Sequence, residues 1–385
     1  MADRRDILYV VDDVNYKGGA HVATARLVKA LVKKGLAVDV LSLSNPTDSA
    51  RELFAPASIV RAECRIRGWR RIIRSVMSRM GYHVYPAFIL DGDGAIRKHM
   101  LRYRCVCVMS EMSALRWIVA SLPRQVRKVQ MLHIDYAFWS QNTSGGRLHS
   151  NHDYAIFRRM DSIAVVGKRN AEKLKHLMPR LASRIEWFSN IIPRPRLQSQ
   201  QRKDSETVGK IRLVTVARID EGQKDAFRMA RIAKRLKTEG LNFVWAVWGE
   251  GRILSDLKRS VEVGGYADVF HVEGWTSSPF EKIAEADVFV LLSHYEGLPN
   301  VIYESFMCHT PVFSTDVGAI ADQISSGENG WLVKDDEESI FAELKRLIST
   351  PTQIYEARHR LGSYNYDNDA VVRRHIVLMG LSHDE

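Results

Sequence analysis

Cysteine is scarce: four in 385 residues, none in a C-x-x-C pair, which excludes a disulfide framework and the usual thiolate metal sites. Cys105 and Cys107 stand one residue apart and predict two thiols on one face of a strand; with Cys64 and Cys308 they read as buried free thiols. No apolar run reaches the ~18 consecutive residues that a membrane-spanning helix needs. The opening Met-Ala-Asp-Arg-Arg-Asp leads straight into an apolar strand rather than a signal peptide, so the expected location is cytoplasmic. The 13 histidines are dispersed without metal-ligand spacing, and no structural metal is expected. Neither Gly18-Gly19 nor Gly249-x-Gly251 extends to G-x-G-x-x-G, which leaves a nicotinamide cofactor unsupported.

What is present is an ordinary globular mixture, 45% hydrophobic and 26% charged, which excludes disorder, collagen and coiled coil. At ~150 residues per domain the length predicts two domains. The net charge of +11 is unevenly divided. Residues 1–200 hold 34 Lys and Arg against 16 Asp and Glu, a net of +18, whereas residues 201–385 hold 22 against 29, a net of −7. The basic half suits nucleic acid, anionic lipid or a phosphorylated substrate, and charge alone does not choose among them.

Short Val/Ile/Leu-rich runs alternate with helical-period segments along nearly the whole chain. Strands are predicted at 7–11, 38–43, 105–109, 129–132 and 163–166, and again at 211–216, 243–248, 269–272, 288–292, 311–314 and 331–333. Runs apolar on both faces, separated by amphipathic helices, predict a doubly wound parallel α/β sheet, and the rhythm occurs twice. The predicted division is a first domain over 1–193, a polar, Pro-bearing linker over 194–207, and a second domain over 208–364. In such sheets ligands gather beyond the carboxyl ends of the strands. The residues there include Gly18-Gly19, His133, Arg218, Gly249-Glu250-Gly251, Gly274-Trp275 and Ser293-His294-Tyr295-Glu296.

The densest signal is Glu296-Gly297-Leu298-Pro299-Asn300-Val301-Ile302-Tyr303-Glu304, two glutamates with seven residues between them. Pro299 suits a first helical turn, so a helix is predicted from Pro299 or Asn300 through Phe306, its start offering oriented amides to a phosphate. Glu304, one turn in among apolar neighbours, needs a polar partner such as sugar hydroxyls. Arg218 and Lys224, after the first strand of the second half, are two cations suited to stabilising a departing diphosphate.

With Ala217-Arg218 and Lys224, Trp248-Gly249-Glu250-Gly251, Val272-Glu273-Gly274-Trp275, the run from Ala286 to Ser293, the paired glutamates, Thr310-Pro311 through Gly318, and Gly327 through Val333, residues 210–346 resemble the nucleotide-sugar-binding domain of the retaining glycosyltransferases of family four. The first half is similar more loosely, in its opening strand, Gly18-Gly19, His133 and Ser189-Asn190. The resemblance implies the GT-B fold, two Rossmann-like domains facing across a cleft, with a last helix within 365–385 packing back on the first. It implies that Glu296 contacts donor-sugar hydroxyls and Glu304 holds the ribose. Arg218 and Lys224 would bind the diphosphate with the amides of Asn300 and Val301, next to Leu298 and Pro299. His133 would lie near the anomeric centre. Gly18 and Gly19 would allow close backbone approach to the donor, and Gly249, Gly274 and Trp275 would line it near the base. The implied reaction is retaining transfer of a hexose or N-acetylhexosamine from a nucleotide sugar, UDP-linked by family prior, to a glycan or lipid-linked acceptor in cell-envelope polysaccharide synthesis. The nucleotide sugar is a co-substrate, and neither cofactor nor metal is expected. Three positions depart from the family pattern: Ala319 in place of a second glycine after Gly318, Asp322 in place of a glutamate, and His309 in place of a glycine.

Asp91-Gly92-Asp93 spells the metal-binding triplet of the other major glycosyltransferase fold, but it stands in the half without the donor words and reads as a turn before a helix. The stretch 61–80, opening on Arg61 and closing on Met80, holds seven arginines against one glutamate with an apolar face available. It suits either an outer helix or an anionic membrane surface, which would place the enzyme peripherally at the inner face of the plasma membrane. With Trp69 as its one aromatic and no recognition motif elsewhere, nucleic acid is not expected as a partner. An NDP-sugar epimerase or hydrolase of the same architecture is the alternative reading, because fold alone does not set the reaction.

Overall fold

The computed structural model describes residues 4–16, 18–62, 94–110, 113, 115–142, 152–195 and 209–381. Lys17, Cys64, the triplet at 91–93, nearly all of the stretch 61–80 and most of the linker lie outside the described residues. The chain divides into two units, residues 1–191 with 367–385, and residues 192–366. Among the described residues no helix is long and apolar enough to cross a membrane.

The first unit is built on seven parallel strands, β1 (Arg5–Val10), β2 (Val38–Ser42), β3 (Ser58–Arg61), β4 (Tyr103–Val108), β5 (Arg127–Leu132), β6 (Ser162–Val166) and β7 (Ile185–Phe188), in the order β3-β2-β1-β4-β5-β6-β7. Leu8 and Val10 of β1, Val106 and Val108 of β4 and Leu132 of β5 are wholly buried, as strands covered by helices on both faces require. The helix Gly19–Lys33 buries Ala23, Leu27, Val28 and Leu31, a stripe at helical spacing. The C-terminal helix Asn368–Leu378 belongs to this unit. Its Arg374 lies 3.7 Å from the centre of the Trp187 ring and donates to the Trp187 carbonyl at 2.7 Å, while Arg127 donates to the Leu378 carbonyl at 2.9 Å.

The second unit repeats the plan with six parallel strands, β8 (Ile211–Val216), β9 (Phe243–Trp248), β10 (Phe270–Gly274), β11 (Val288–Leu291), β12 (Val312–Thr315) and β13 (Gly330–Val333), in the order β10-β9-β8-β11-β12-β13. Trp245 is fully buried, and its indole N–H donates to Thr215 Oγ1 at 3.1 Å, so its large apolar surface is removed from water without stranding the polar edge. The helix Ala226–Thr238 starts at Asp225, whose side chain accepts from the Arg228 amide, and buries Met229, Ile232, Ala233 and Leu236.

Two strands, β3 and β7, are additions to those predicted from sequence. Cys105, Cys107 and Cys308 are free and buried, and the sulfurs of Cys105 and Cys107 lie 3.6 Å apart on one face of β4. Pro299 stands just before the helix Asn300–Met307 rather than inside its first turn. His309, in place of a glycine, adopts φ +56°.

Candidate functional site

In each sheet the strand order reverses at one place, between β1 and β4 in the first and between β8 and β11 in the second. The crevice beyond the carboxyl ends of those strands is where an open parallel sheet can hold a ligand.

In the second unit the segments after β8 and β11 are fastened together. Lys224 pairs with Glu296 Oε1, their side chains 14% and 7% exposed. Gln223 Nε2 donates to the Tyr295 carbonyl at 3.0 Å and to Glu296 Oε2 at 3.4 Å, and the His294 amide donates to the Gln223 carbonyl at 2.9 Å. The loop is shaped by Asp220, whose Oδ1 accepts from the amides of Gln223 at 2.7 Å and Lys224 at 2.9 Å. Arg218 Nε donates to Asp220 Oδ2 at 2.8 Å, and its Nη2 donates to Gln223 Oε1 at 2.9 Å. Burial pushes the Asp220 carboxyl up, but the Lys224 amide, the Arg218 guanidinium and the Gln223 amide outweigh it and hold the group below its ordinary value. Arg218, Lys224 and Glu296 are thus brought into one hydrogen-bonded assembly.

The helix Asn300–Met307 carries no side-chain cap at its start. Gln323 Nε2 donates to the Pro299 carbonyl at 3.1 Å and fixes the entry of the chain. Asn300 and Val301 supply the first amides, Leu298 is buried beneath them, and Ile302, Ser305 and Phe306 anchor the helix from its inner side. Glu304 is half-buried one turn along. Its charge, after burial, contributes to the rise of the Cys308 thiol to about 12. On the neighbouring strand ends the Gly249 amide donates to the Gly274 carbonyl at 2.7 Å, and Trp275 follows with 66% of its surface exposed. Gly249 has φ +150°, and a Cβ there would fall 1.8 Å from the Ala217 carbonyl oxygen, so glycine is what lets the Trp248–Gly251 turn lie against the loop after β8.

Gly318 plays the same part behind Glu296. Its φ is +59°, and a Cβ would fall 2.0 Å from the Glu296 carbonyl oxygen. Gly318→Ala is expected to cost about 1–2 kcal/mol from the left-handed backbone before the clash is counted. A thermal melt combined with nucleotide titration checks this, and an unchanged melting temperature would contradict it.

In the first unit Gly19 opens its helix, and Gly18 precedes it. A Cβ on Gly18 would meet the Tyr16 ring at 2.3 Å, whereas Gly19 faces open space. His133 follows β5, edge-on to Phe188 at 5.0 Å between ring centres, with its Nε2 buried and without a hydrogen-bond partner. Burial, then the charges of His375 and His21, lowers its pKa to about 3, so the ring is neutral at physiological pH. Beyond β1 and β4 lies a cavity of about 250 Å³, lined among others by Asp12, Asp13, Tyr16, His21, Ser110 and Ser113. Ser113 Oγ donates to Asp12 Oδ1 at 2.6 Å and Ser44 Oγ to Asp13 Oδ1 at 2.8 Å, so the two aspartates are fixed at the edge of a lining that is mostly apolar. Among the described residues no group of three His, Cys, Asp or Glu is placed to hold a metal ion.

Sequence reasoning named His294 only as one of the strand-end residues and passed over Asp220, Gln223 and Asp225 in the second unit, and Asp12, Asp13 and His21 in the first. The strand-end rule, applied to β1, would have pointed to Asp12-Asp13 directly.

Two family models match the chain: Glycosyltransferase Family 4 over residues 17–194 and Glycosyl transferases group 1 over residues 210–350. The chain is 27% identical over 195 residues to an N-acetylgalactosamine-N,N'-diacetylbacillosaminyl-diphospho-undecaprenol 4-alpha-N-acetylgalactosaminyltransferase of Campylobacter jejuni, covering 50% of this chain and 52% of the relative. It therefore spans about half the length of that relative, and less of several others. With the O-antigen biosynthesis glycosyltransferase WbnH of Escherichia coli it shares 24% identity over 338 residues, 84% of this chain and 93% of WbnH. Among solved structures it resembles Anabaena HepE in complex with UDP and glucose, with a TM-score of 0.74 at 12% identity over 98% of this chain and 99% of HepE. The two parallel-sheet units are those of the GT-B fold.

Proposed function

Because this chain belongs to the glycosyltransferases through both of its domains, we propose that it transfers a hexose or N-acetylhexosamine, with retention, from a UDP-sugar to a glycan or lipid-linked acceptor in cell-envelope polysaccharide synthesis. The observation that carries this reading is the Lys224–Glu296 pair, held by Gln223 at the switch point of the second unit beside the uncapped start of the helix Asn300–Met307. A cation and oriented helix amides suit a diphosphate, and two carboxylates, Glu296 before the helix and Glu304 one turn into it, suit sugar and ribose hydroxyls. HepE with UDP and glucose supports a UDP-linked donor, and relatives such as WbnH support the pathway.

In this mechanism Glu296 orients the donor sugar, Glu304 holds the ribose, and Gly249, Gly274 and Trp275 line the base. The bond between the anomeric carbon and the diphosphate oxygen breaks as the acceptor oxygen attacks from the same face. Lys224, Arg218 and the amides of Asn300 and Val301 take up the charge that develops on the leaving diphosphate, and a leaving-group oxygen receives the acceptor's proton. His133, neutral, lies near the anomeric centre, and Gly18 and Gly19 allow close backbone approach. The cavity of the first unit, with Asp12 and Asp13 in its lining, receives the acceptor sugar. The basic stretch 61–80 docks this unit on an anionic membrane.

A thermal-shift panel of UDP, GDP, ADP and three UDP-sugars tests the donor assignment. UDP and one UDP-sugar are expected to raise the melting temperature by mass action, and the shift should vanish in Lys224→Ala and Glu304→Gln. No shift with any nucleotide would overturn the donor site. Turnover should survive a chelator; its abolition by EDTA, restored by a divalent ion, would contradict metal-free transfer.

A further inference from the structure

His294 stands two residues before Glu296 and is bonded through both ring nitrogens. Its Nδ1 lies 2.9 Å from Asp335 Oδ2, beyond β13, and its Nε2 lies 3.2 Å from Asp225 Oδ2, at the start of the helix Ala226–Thr238. Each carboxylate is already committed at its other oxygen: Asp225 Oδ1 accepts from the Arg228 amide at 2.9 Å, and Asp335 Oδ1 accepts from Arg228 Nη1. Arg228 also donates to the Leu292 carbonyl, so it grips the strand end from which His294 projects. Asp225 adopts φ +42°, a left-handed backbone that a non-glycine residue holds only where its surroundings fix it. Lys224 is the residue immediately before this strained position.

We infer that His294 is a positioning residue for the Lys224–Glu296 pair. Its ring clasps the two chain segments that carry that pair, bridging Asp225 next to Lys224 and Asp335 on a third element. The His294 backbone amide adds a bond to the Gln223 carbonyl. Each ring nitrogen faces its own carboxylate, a pair of contacts that a leucine of similar bulk cannot make at all and a glutamine can make only in part. The clasp sets the spacing between the cation meant for the diphosphate and the carboxylate meant for the sugar. A misplacement of about 1 Å in such a pair costs on the order of a hundredfold in rate.

This inference rests on the donor-site reading above, and the test separates the two. Steady-state kcat/KM is measured for wild type, His294→Leu, His294→Gln, Glu296→Gln and the double variants, with thermal melts alongside. His294→Leu is expected to lose roughly ten- to a hundredfold, and His294→Gln distinctly less. In the Glu296→Gln background the same His294 substitution should cost little more, because residues in one network couple instead of adding. A purely structural role would multiply the same loss into both backgrounds, and that result, or wild-type kcat/KM in His294→Leu, overturns the inference. Should His294→Leu fail to fold, the His294→Gln cycle decides on the same criterion. Full activity in Glu296→Gln alone would instead overturn the donor-site reading.

Discussion

Lys224→Ala is expected to reduce turnover about 10²–10³-fold, the scale on which a preorganised group facing developing charge acts, and Glu304→Gln is expected to fall in the same range. The two losses have different origins. Lys224 is largely buried beside Glu296, where a charge interaction is screened less than in water. Removing it takes away the cation for the diphosphate and leaves the Glu296 carboxylate with the distant Gln223 amide, 3.4 Å from its other oxygen. Glu304→Gln keeps shape and helix but removes an acceptor for paired hydroxyls, so the fold should be untouched. Melting curves separate these effects: Glu304→Gln should melt with wild type, whereas Lys224→Ala should melt lower and recover part of the difference when Glu296→Gln is added. Arg218 differs from both. Its side chain is 58% exposed and already held by Asp220 and Gln223, so Arg218→Ala should lower nucleotide affinity with little change in melting temperature. Undiminished turnover in both Lys224→Ala and Glu304→Gln would overturn the assignment of the site.

Eleven of the strands were legible because each is a short apolar run between polar turns, and burial on both sheet faces leaves that mark in the local sequence. The two that were not legible owe their structure to distant partners. β3, Ser58–Arg61, offers only Ile59 and Val60 between polar ends and is a strand because it pairs with Asp39–Ser42 at the sheet edge. β7, Ile185–Phe188, is broken by Glu186, and its Trp187 is covered by Arg374 from a helix at the other end of the chain. The site divides in the same way. Residue type and spacing singled out Glu296, Glu304 and Lys224, the helix starts at Asn300 as they predicted, and His309, the departure from glycine, stands at a positive φ. Gln223 was not readable, and His294 was readable only as a residue beyond a strand end. Each reads locally as a solvated loop residue, and its role comes from partners that lie 73 residues away for Gln223 and 41 and 69 for His294.

Asp153→Ala is expected to destabilise the first unit by about 3–5 kcal/mol, the cost of stranding one member of a buried ion pair. Arg116 and Asp153 are both fully buried, with Arg116 Nη1 2.6 Å from Asp153 Oδ1. The pair is part of a larger arrangement: Arg116 Nε donates to Gln130 Oε1 at 3.0 Å, the guanidinium lies 5.2 Å from the centre of the Phe157 ring, and the Tyr136 hydroxyl donates to Asp153 Oδ2. An alanine at 153 would remove at once the carboxylate that pairs with the buried Arg116 guanidinium and the acceptor of the Tyr136 hydroxyl, two losses in one substitution. For a unit of this size the loss corresponds to roughly 6–20 °C in melting temperature. Asp153→Asn, which keeps an acceptor for Arg116 but loses the charge, should fall between alanine and wild type. The double replacement Arg116→Met with Asp153→Leu should recover much of the loss, because an apolar pair of similar bulk owes no desolvation cost. A melting temperature within a degree or two of wild type for Asp153→Ala would refute this account of the core. Tyr136 begins the helix Tyr136–Asn142, three residues after His133, so the same variant carries a second expectation. Loosening that helix should weaken acceptor use before donor binding, with nucleotide affinity in the second unit preserved while KM for the acceptor rises.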